Sequence, residues 1–409
     1  MTVVVLENAA LLDGTVPERR GGHHVAFEGE RIVEVSDRPI SGAAERRIDL
    51  AGRTLMPGLI DAHVHVTVAS VRIAAIAREP ATLTGLRAGA IMAGMLARGF
   101  TTVRDAGGAD WGLARAVEEG LLPGPRLFYS GRALSQTGGH GDFRPLTAGH
   151  CPCGSMAIEF SAVVDGVDAV RRAAREELRR GATQIKIMAS GGVASPADPV
   201  WNLQFSEEEI AAAVWEARAW RTYVMAHAYT PEAVTRAVRL GVRSIEHGNL
   251  IDEATAAVMV EHGAYLVPTL VTYEALHRDG AALGLPAVSL AKLGDVRDRG
   301  LAAVEIAHRA GVPIGFGTDL LGQTHHYQSM ELRLRAEVMS PHEVIRSATS
   351  VNAALLNRSG ELGVIAPGAL ADLIAVDGNP LEDLGRLEAQ GAHLPLVVQG
   401  GRFVKDTLT

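Results

Sequence analysis

Met56-Pro57-Gly58-Leu59-Ile60-Asp61-Ala62-His63-Val64-His65 is the stretch on which the reading of this chain turns. Leu59 to Val66 is a short β-like run, and it carries two histidines one residue apart. Side chains alternate along an extended chain, so His63 and His65 point one way and Val64 the other. Two imidazoles on one side of a strand suit a single divalent ion such as zinc. Barrel-filling histidines with satisfied hydrogen bonds would share that spacing.

Seven further β-like runs follow at intervals: Thr101 to Asp105, Arg126 to Ser130, Gln184 to Ala189, Tyr223 to Ala228, Ser244 to His247, Tyr265 to Thr269 and Pro313 to Thr318. Between them the pattern is helical, as in Val167 to Arg180, Glu207 to Trp220, Pro231 to Leu240, Glu253 to His262 and Leu301 to Ala310. Ser206, Thr230-Pro231 and Asp252 are helix-start signals. Gly181, Gly241, Gly263 and Gly311 stand where left-handed C-caps would fall. Eight β-α units over about 300 residues is the arithmetic of a (β/α)8 barrel, with a doubly wound sheet as the alternative. Both chain ends read as short strands and turns, and neither end has enough of them for a stable sheet. The expected architecture is therefore α/β: a TIM-like barrel over 58–359, and a small β-sandwich domain composed of 1–57 and 360–409.

What decides for the barrel is where the polar residues fall. Active sites of such barrels lie at the C-terminal strand ends. The first run ends in His63 and His65, the fourth contains Lys186, the fifth and sixth end in His227 and His247, and Asp319 closes the eighth. Lys186 sits in an apolar run, where an ammonium is costly to bury. Either its head group reaches out of the barrel mouth, or it is a desolvated amine that adds carbon dioxide to become an anionic carbamate. Asp319 can ligate a metal and accept a proton from its water, or act as a loop residue or N-cap.

This ordered set resembles the amidohydrolase superfamily across essentially the whole chain. The resemblance implies two divalent metal ions, with zinc expected. Residues matching His63 and His65, with Asp319, bind the first; those matching His227 and His247 bind the second. Lys186, as N6-carboxylysine, bridges them. Three strings, Ser135-Gln136-Thr137-Gly138-Gly139-His140-Gly141-Asp142, Lys186-Ile187-Met188-Ala189-Ser190-Gly191-Gly192 and His227-Ala228-Tyr229, are similar to the prolidase-like and Xaa-Arg dipeptidase-like branch, related to imidazolonepropionase and ochratoxin-degrading amidases. In that branch the residues matching His140 and Tyr229 hold the substrate's carboxylate or scissile carbonyl. The implied reaction is amide hydrolysis of a dipeptide or N-acyl amino acid by a metal-activated hydroxide, Xaa-Pro first, with Asp319 as the catalytic base. Xaa-Arg or Xaa-Lys dipeptides, and ochratoxin-type amides, lactams or lactones, are the alternatives. A non-catalytic scaffold would be expected to lack some of the six ligands, and none is missing.

Composition sets bounds on this reading. Of 409 residues, 47% are hydrophobic and 21% charged, which excludes general disorder. A net charge of -8 argues against nucleic acid as a partner. The two cysteines, Cys151 and Cys153 around Pro152, leave no disulfide framework and read as a structural loop. The N-terminus lacks a basic secretory n-region, and no 18-residue apolar run occurs. The expectations are a cytoplasmic location, a small-molecule or dipeptide substrate, a homo-oligomer, and no membrane. His23-His24 and His325-His326 read as surface pairs, with the lining of the barrel mouth as the alternative for the latter pair, which follows strand eight.

Overall fold

A computed structural model of the chain describes residues 3–76, 79–144, 160–195 and 198–408. Leu59–Val64, buried along its whole length, is the first barrel strand. It pairs in parallel with Phe100–Asp105, which pairs with Arg126–Tyr129. Ile185–Met188, Val224–Ala228, Ser244–His247 and Tyr265–Val267 form a second parallel sheet. Two short strands, Ala133–Ser135 and Ser161–Val163, extend its edge within the long connection that carries His140.

Backbone hydrogen bonds close these two sheets into a ring. At one seam Thr183 N donates to Tyr129 O at 2.9 Å. At the other lies Pro313 to Thr318, where an eighth strand was expected and none forms. The segment makes a single β-bridge, Leu266 to Ile314. It still joins its neighbours: Leu266 N donates to Pro313 O (3.0 Å), Gly315 N to Leu266 O (2.8 Å) and Ala62 N to Phe316 O (2.8 Å). The regular ladder fails because Pro313 has no amide hydrogen. A side chain also bonds on that edge: Asn352 Nδ2 donates to both Ile60 O (2.7 Å) and Phe316 O (2.8 Å). The result is the TIM barrel, with its eighth member irregular.

The helices at Val167–Arg179, Glu207–Ala219, Pro231–Arg239 and Glu253–Glu261 end one residue short of the sequence expectation. Ser206, Thr230 and Asp252 each accept a backbone N–H at the start, as N-caps do. The pattern seen at Leu301 to Ala310 is only the last part of a 24-residue helix, Ala287–Ala310. Gly294 and Gly300, poor helix formers, hid its first half from the sequence pattern.

Strands from both chain ends share one eight-stranded sheet. Leu373–Val376 runs antiparallel to Thr54–Pro57, so a C-terminal strand is hydrogen-bonded to the segment that leads into the first barrel strand. A separate apolar core holds it, including Leu6, Leu11, Val25, Phe27, Leu55, Leu373 and Val398. Among the described residues no helix is long and apolar enough to cross a membrane.

Candidate active site

His63 and His65 emerge together at the end of the first barrel strand, as their spacing requires. Asp319 meets them from the segment after Pro313 to Thr318. Its Oδ1 lies 3.1 Å from His65 Nε2 and 3.5 Å from His63 Nε2, and its Oδ2 lies 3.9 Å from His247 Nδ1. One ligand atom from each of His63, His65 and Asp319 fits within 4.8 Å of the others. The backbone bends to achieve this. Asp319 has φ 51°, His247 φ 76° and Thr269 φ 50°, all left-handed, and such strain in non-glycine residues clusters at functional sites. His247 follows Glu246, and the two would face opposite ways in a regular strand; the turn at His247 lets both reach His63. Gly317 permits the close approach: a Cβ there would lie 2.8 Å from His63 Cβ and 2.4 Å from Val267 Cγ1.

Each of four histidines has one ring nitrogen engaged by a protein group other than Asp319. His63 Nδ1 pairs with Glu246 Oε2 (2.7 Å), His65 Nδ1 with Gly107 O (3.1 Å), His227 Nε2 with Gly191 O (3.1 Å) and His247 Nδ1 with Thr269 Oγ1 (2.8 Å). That is the arrangement of metal-binding histidines, whose second nitrogen is oriented by an acceptor. His63 Nε2 is buried with no hydrogen-bond partner. An orphaned imidazole nitrogen beside a second imidazole and a carboxylate fits a divalent ion of the zinc class. Burial, chiefly, holds His63 and His227 well below the ordinary histidine range and lowers His247 to about 3, so their lone pairs stay available. For Asp319 burial pushes the other way, yet His63, His65 and His247 outweigh it and keep the carboxyl ionised.

Two charged residues that the sequence reading missed support this shell. Glu246 accepts Arg104 Nη2 on both oxygens (2.9 and 3.1 Å) and Ser244 Oγ (2.5 Å). Arg104 also donates to Ala62 O at 2.6 Å. Both are fully buried in the barrel. The available signal was an arginine and a glutamate of opposite sign, each inside a short β-like run, on strands two and six.

Lys186 is 1% exposed, which removes the reading in which its head group leaves the barrel mouth. Burial above all lowers its pKa to about 8, Arg104 adds to that, and Glu246 and Asp319 oppose it. Its charge is felt by His63, His227 and His247. The His140 ring lies flat on His227, with centroids 4.0 Å apart and planes at 15°. Tyr229 stacks on His247 at 5.2 Å and meets the edge of His227 at 4.9 Å; its hydroxyl is 2.8 Å from that of Tyr273. The structure thus gathers all eight residues singled out from the sequence at one end of the barrel. It does not bear out the surface reading of His24 and His325, which are buried; His325 Nε2 bonds Val68 O at 3.2 Å. Cys151-Pro152-Cys153 lies outside the described residues.

Comparison with known proteins specifies the class to which this barrel and its buried histidine-carboxylate group belong. Residues 54–402 match the amidohydrolase family, and the chain belongs to that family of hydrolases. It resembles a prolidase crystallised with N-methylphosphonate-L-proline, with 54% identity and a TM-score of 0.97 over 99% of this chain and 100% of the other. A Xaa-Pro dipeptidase crystallised with methionine in its active site is 32% identical, with a TM-score of 0.88 over 99% and 100%. The ochratoxinase of Aspergillus niger is 34% identical over 366 residues, 86% of this chain and 75% of its own length.

Proposed function

We propose that this chain is a binuclear metal-dependent hydrolase that cleaves the amide bond of dipeptides or N-acyl amino acids, Xaa-Pro dipeptides first. The observation that carries the reading is the buried group of His63, His65 and Asp319 with its unpartnered imidazole nitrogen, set beside Lys186, His227 and His247. The likeness to a prolidase at 54% identity supports the choice of Xaa-Pro.

His63, His65 and Asp319 would hold one ion, His227 and His247 a second, with Lys186 between them as the carbamate. Bound zinc ions supply Lewis acidity and lower the pKa of water toward about 7. Asp319 faces His65 with one oxygen and His247 with the other. Ionised at neutral pH, it takes the proton of the attacking water and passes it to the leaving amine. Burial holds the Tyr229 phenol protonated far above neutral pH, so it serves as a donor. His140 and Tyr229, stacked on His227 and His247, hold the leaving residue's carboxylate.

The test is a panel of dipeptides and N-acyl amino acids scored for released amino acid, with metal content measured on the same preparation. Proline released fastest from Xaa-Pro dipeptides by protein holding two metals per chain is the expected result. A two-metal preparation that cleaves no member of the panel overturns the reading.

A further inference from the structure

His140 is held by a network whose centre is a carboxylate outside the metal shell. Its Nδ1 is 2.8 Å from Ser195 Oγ and 3.5 Å from Asp198 Oδ2. Ser195 Oγ in turn donates to Asp198 Oδ1. Asp198 Oδ2 accepts Gln204 Nε2 (2.9 Å), and Gln204 Oε1 accepts the backbone N of His140 (2.8 Å). Asp198 Oδ2 also accepts Gly192 N at 3.1 Å. Gly192 lies against the imidazole: a Cβ there would fall 2.2 to 2.7 Å from three of its ring atoms. Asp198 therefore grips the ring, the backbone and the floor of His140 at once. Ser195, Asp198 and Gln204 are all nearly fully buried.

The loop bearing Asp198 is pinned from outside. Lys292, on the Ala287–Ala310 helix, donates its ammonium to three loop carbonyls: Gly192 O (2.9 Å), Ser195 O (2.9 Å) and Asp198 O (2.7 Å). Three acceptors saturate the three protons of an ammonium. Lys292 is thus a strut for the loop, with no proton left for substrate.

We propose that Asp198 is a positioning residue for substrate recognition: through Ser195 and Gln204 it fixes which way the His140 ring faces and which nitrogen it presents. An ionised Asp198 turns the Ser195 hydroxyl proton toward itself, so the Ser195 oxygen accepts from His140 Nδ1–H. A ring that holds a carboxylate donates from both nitrogens, as the imidazolium does: Nδ1–H goes to Ser195 Oγ, and Nε2–H, which bonds none of the described residues, is left for the substrate. The proposal rests on the role given above to His140, and it adds that this role depends on Asp198. A structural carboxylate would stabilise the loop without discriminating between substrates.

The test compares Asp198→Asn, Ser195→Ala, Ser195→Thr and His140→Ala on Ala-Pro, or on the fastest dipeptide of the panel, and on its C-terminal amide. An asparagine cannot accept from Ser195, Gln204 and Gly192 together, because its amide nitrogen meets a donor in either orientation. Asp198→Asn and Ser195→Ala should raise KM for the dipeptide by about 10-fold or more. They should leave KM for the amide, metal content and kcat within about threefold of wild type. Ser195→Thr keeps the hydroxyl and should restore the wild-type KM. In the His140→Ala background, Asp198→Asn should add less than about twofold, because its route to substrate is gone. A full multiplicative effect in that background, or a Ser195→Ala variant indistinguishable from wild type, overturns the proposal. Should Asp198→Asn fail to fold, the Ser195 pair and the Ser195→Ala/His140→Ala double variant decide in its place. If His140→Ala weakens dipeptide and amide alike, the carboxylate role of His140 fails, while the double variants still judge Asp198 separately.

Discussion

Glu246→Gln replaces the oriented partner of His63 by a group of the same shape, and its consequence can be worked out atom by atom. Three donor groups converge on the carboxylate: His63 Nδ1 and Arg104 Nη2 at Oε2, Arg104 Nη2 and Ser244 Oγ at Oε1. Arg104 Nη2 touches both oxygens, so the new amide nitrogen faces it whichever way the glutamine turns. Arg104 is 0% exposed and has no other carboxylate to turn to among its described partners. Breaking a buried ion pair by removing one charge costs about 3–5 kcal/mol. Loss of an orienting carboxylate typically weakens metal binding by roughly 10- to 100-fold. Both effects should appear: in urea unfolding of the metal-stripped protein followed by circular dichroism, and in zinc retained after dialysis against a buffered chelator. Adding Arg104→Met removes the stranded cation, so the double variant should be less destabilised than the two single effects added together, by at least about 1 kcal/mol. A Glu246→Gln variant within about 1 kcal/mol of wild type and with unchanged zinc retention would refute the reasoning.

Lys186→Ala should lose most of its metal and nearly all turnover, with partial recovery on adding short carboxylic acids; two metals and full turnover in that variant would end the carbamate assignment. Asp319→Asn should keep the fold, because asparagine tolerates the left-handed φ of 51° at this position, yet lose turnover by roughly 100- to 10,000-fold; near-normal rates would place the proton acceptor elsewhere. Tyr229→Phe should raise KM for a dipeptide more than for its C-terminal amide, by roughly 10- to 150-fold if a charged partner is lost; equal losses on both substrates would assign the phenol to the scissile carbonyl or to packing. Gly317→Ala drives a methyl into His63 and Val267, so it should destabilise the protein by about 1–3 kcal/mol and lower zinc retention, and a variant with wild-type zinc retention would contradict the close approach described here.

The gathering of the candidate residues at one end of the barrel was legible in the sequence because it obeys local rules. His63 and His65 are two apart on a strand, and a period of two places them on one side wherever the chain goes. His227, His247 and Lys186 sit within or at the ends of short β-like runs, and parallel strands in a barrel bring those ends to one face. Helix caps such as Ser206 and Asp252 were equally plain, since a cap depends only on the residues of its own turn. What the chain alone could not disclose depends on groups brought together from far along it. Glu246 and Arg104 are 142 positions apart and become partners only when the barrel closes around them. The eighth segment read as a strand, but Asn352 and Pro313 leave it joined to its neighbours by scattered hydrogen bonds instead of a ladder. Asp198 carries no sign of its role in sequence, because a buried carboxylate in a loop acquires a function only from the serine, glutamine and histidine that tertiary folding sets around it. Periodicity, caps and strand ends are fixed by neighbours in the chain, whereas the pairing of buried charges is fixed by which surfaces exclude water, and that is decided only in three dimensions.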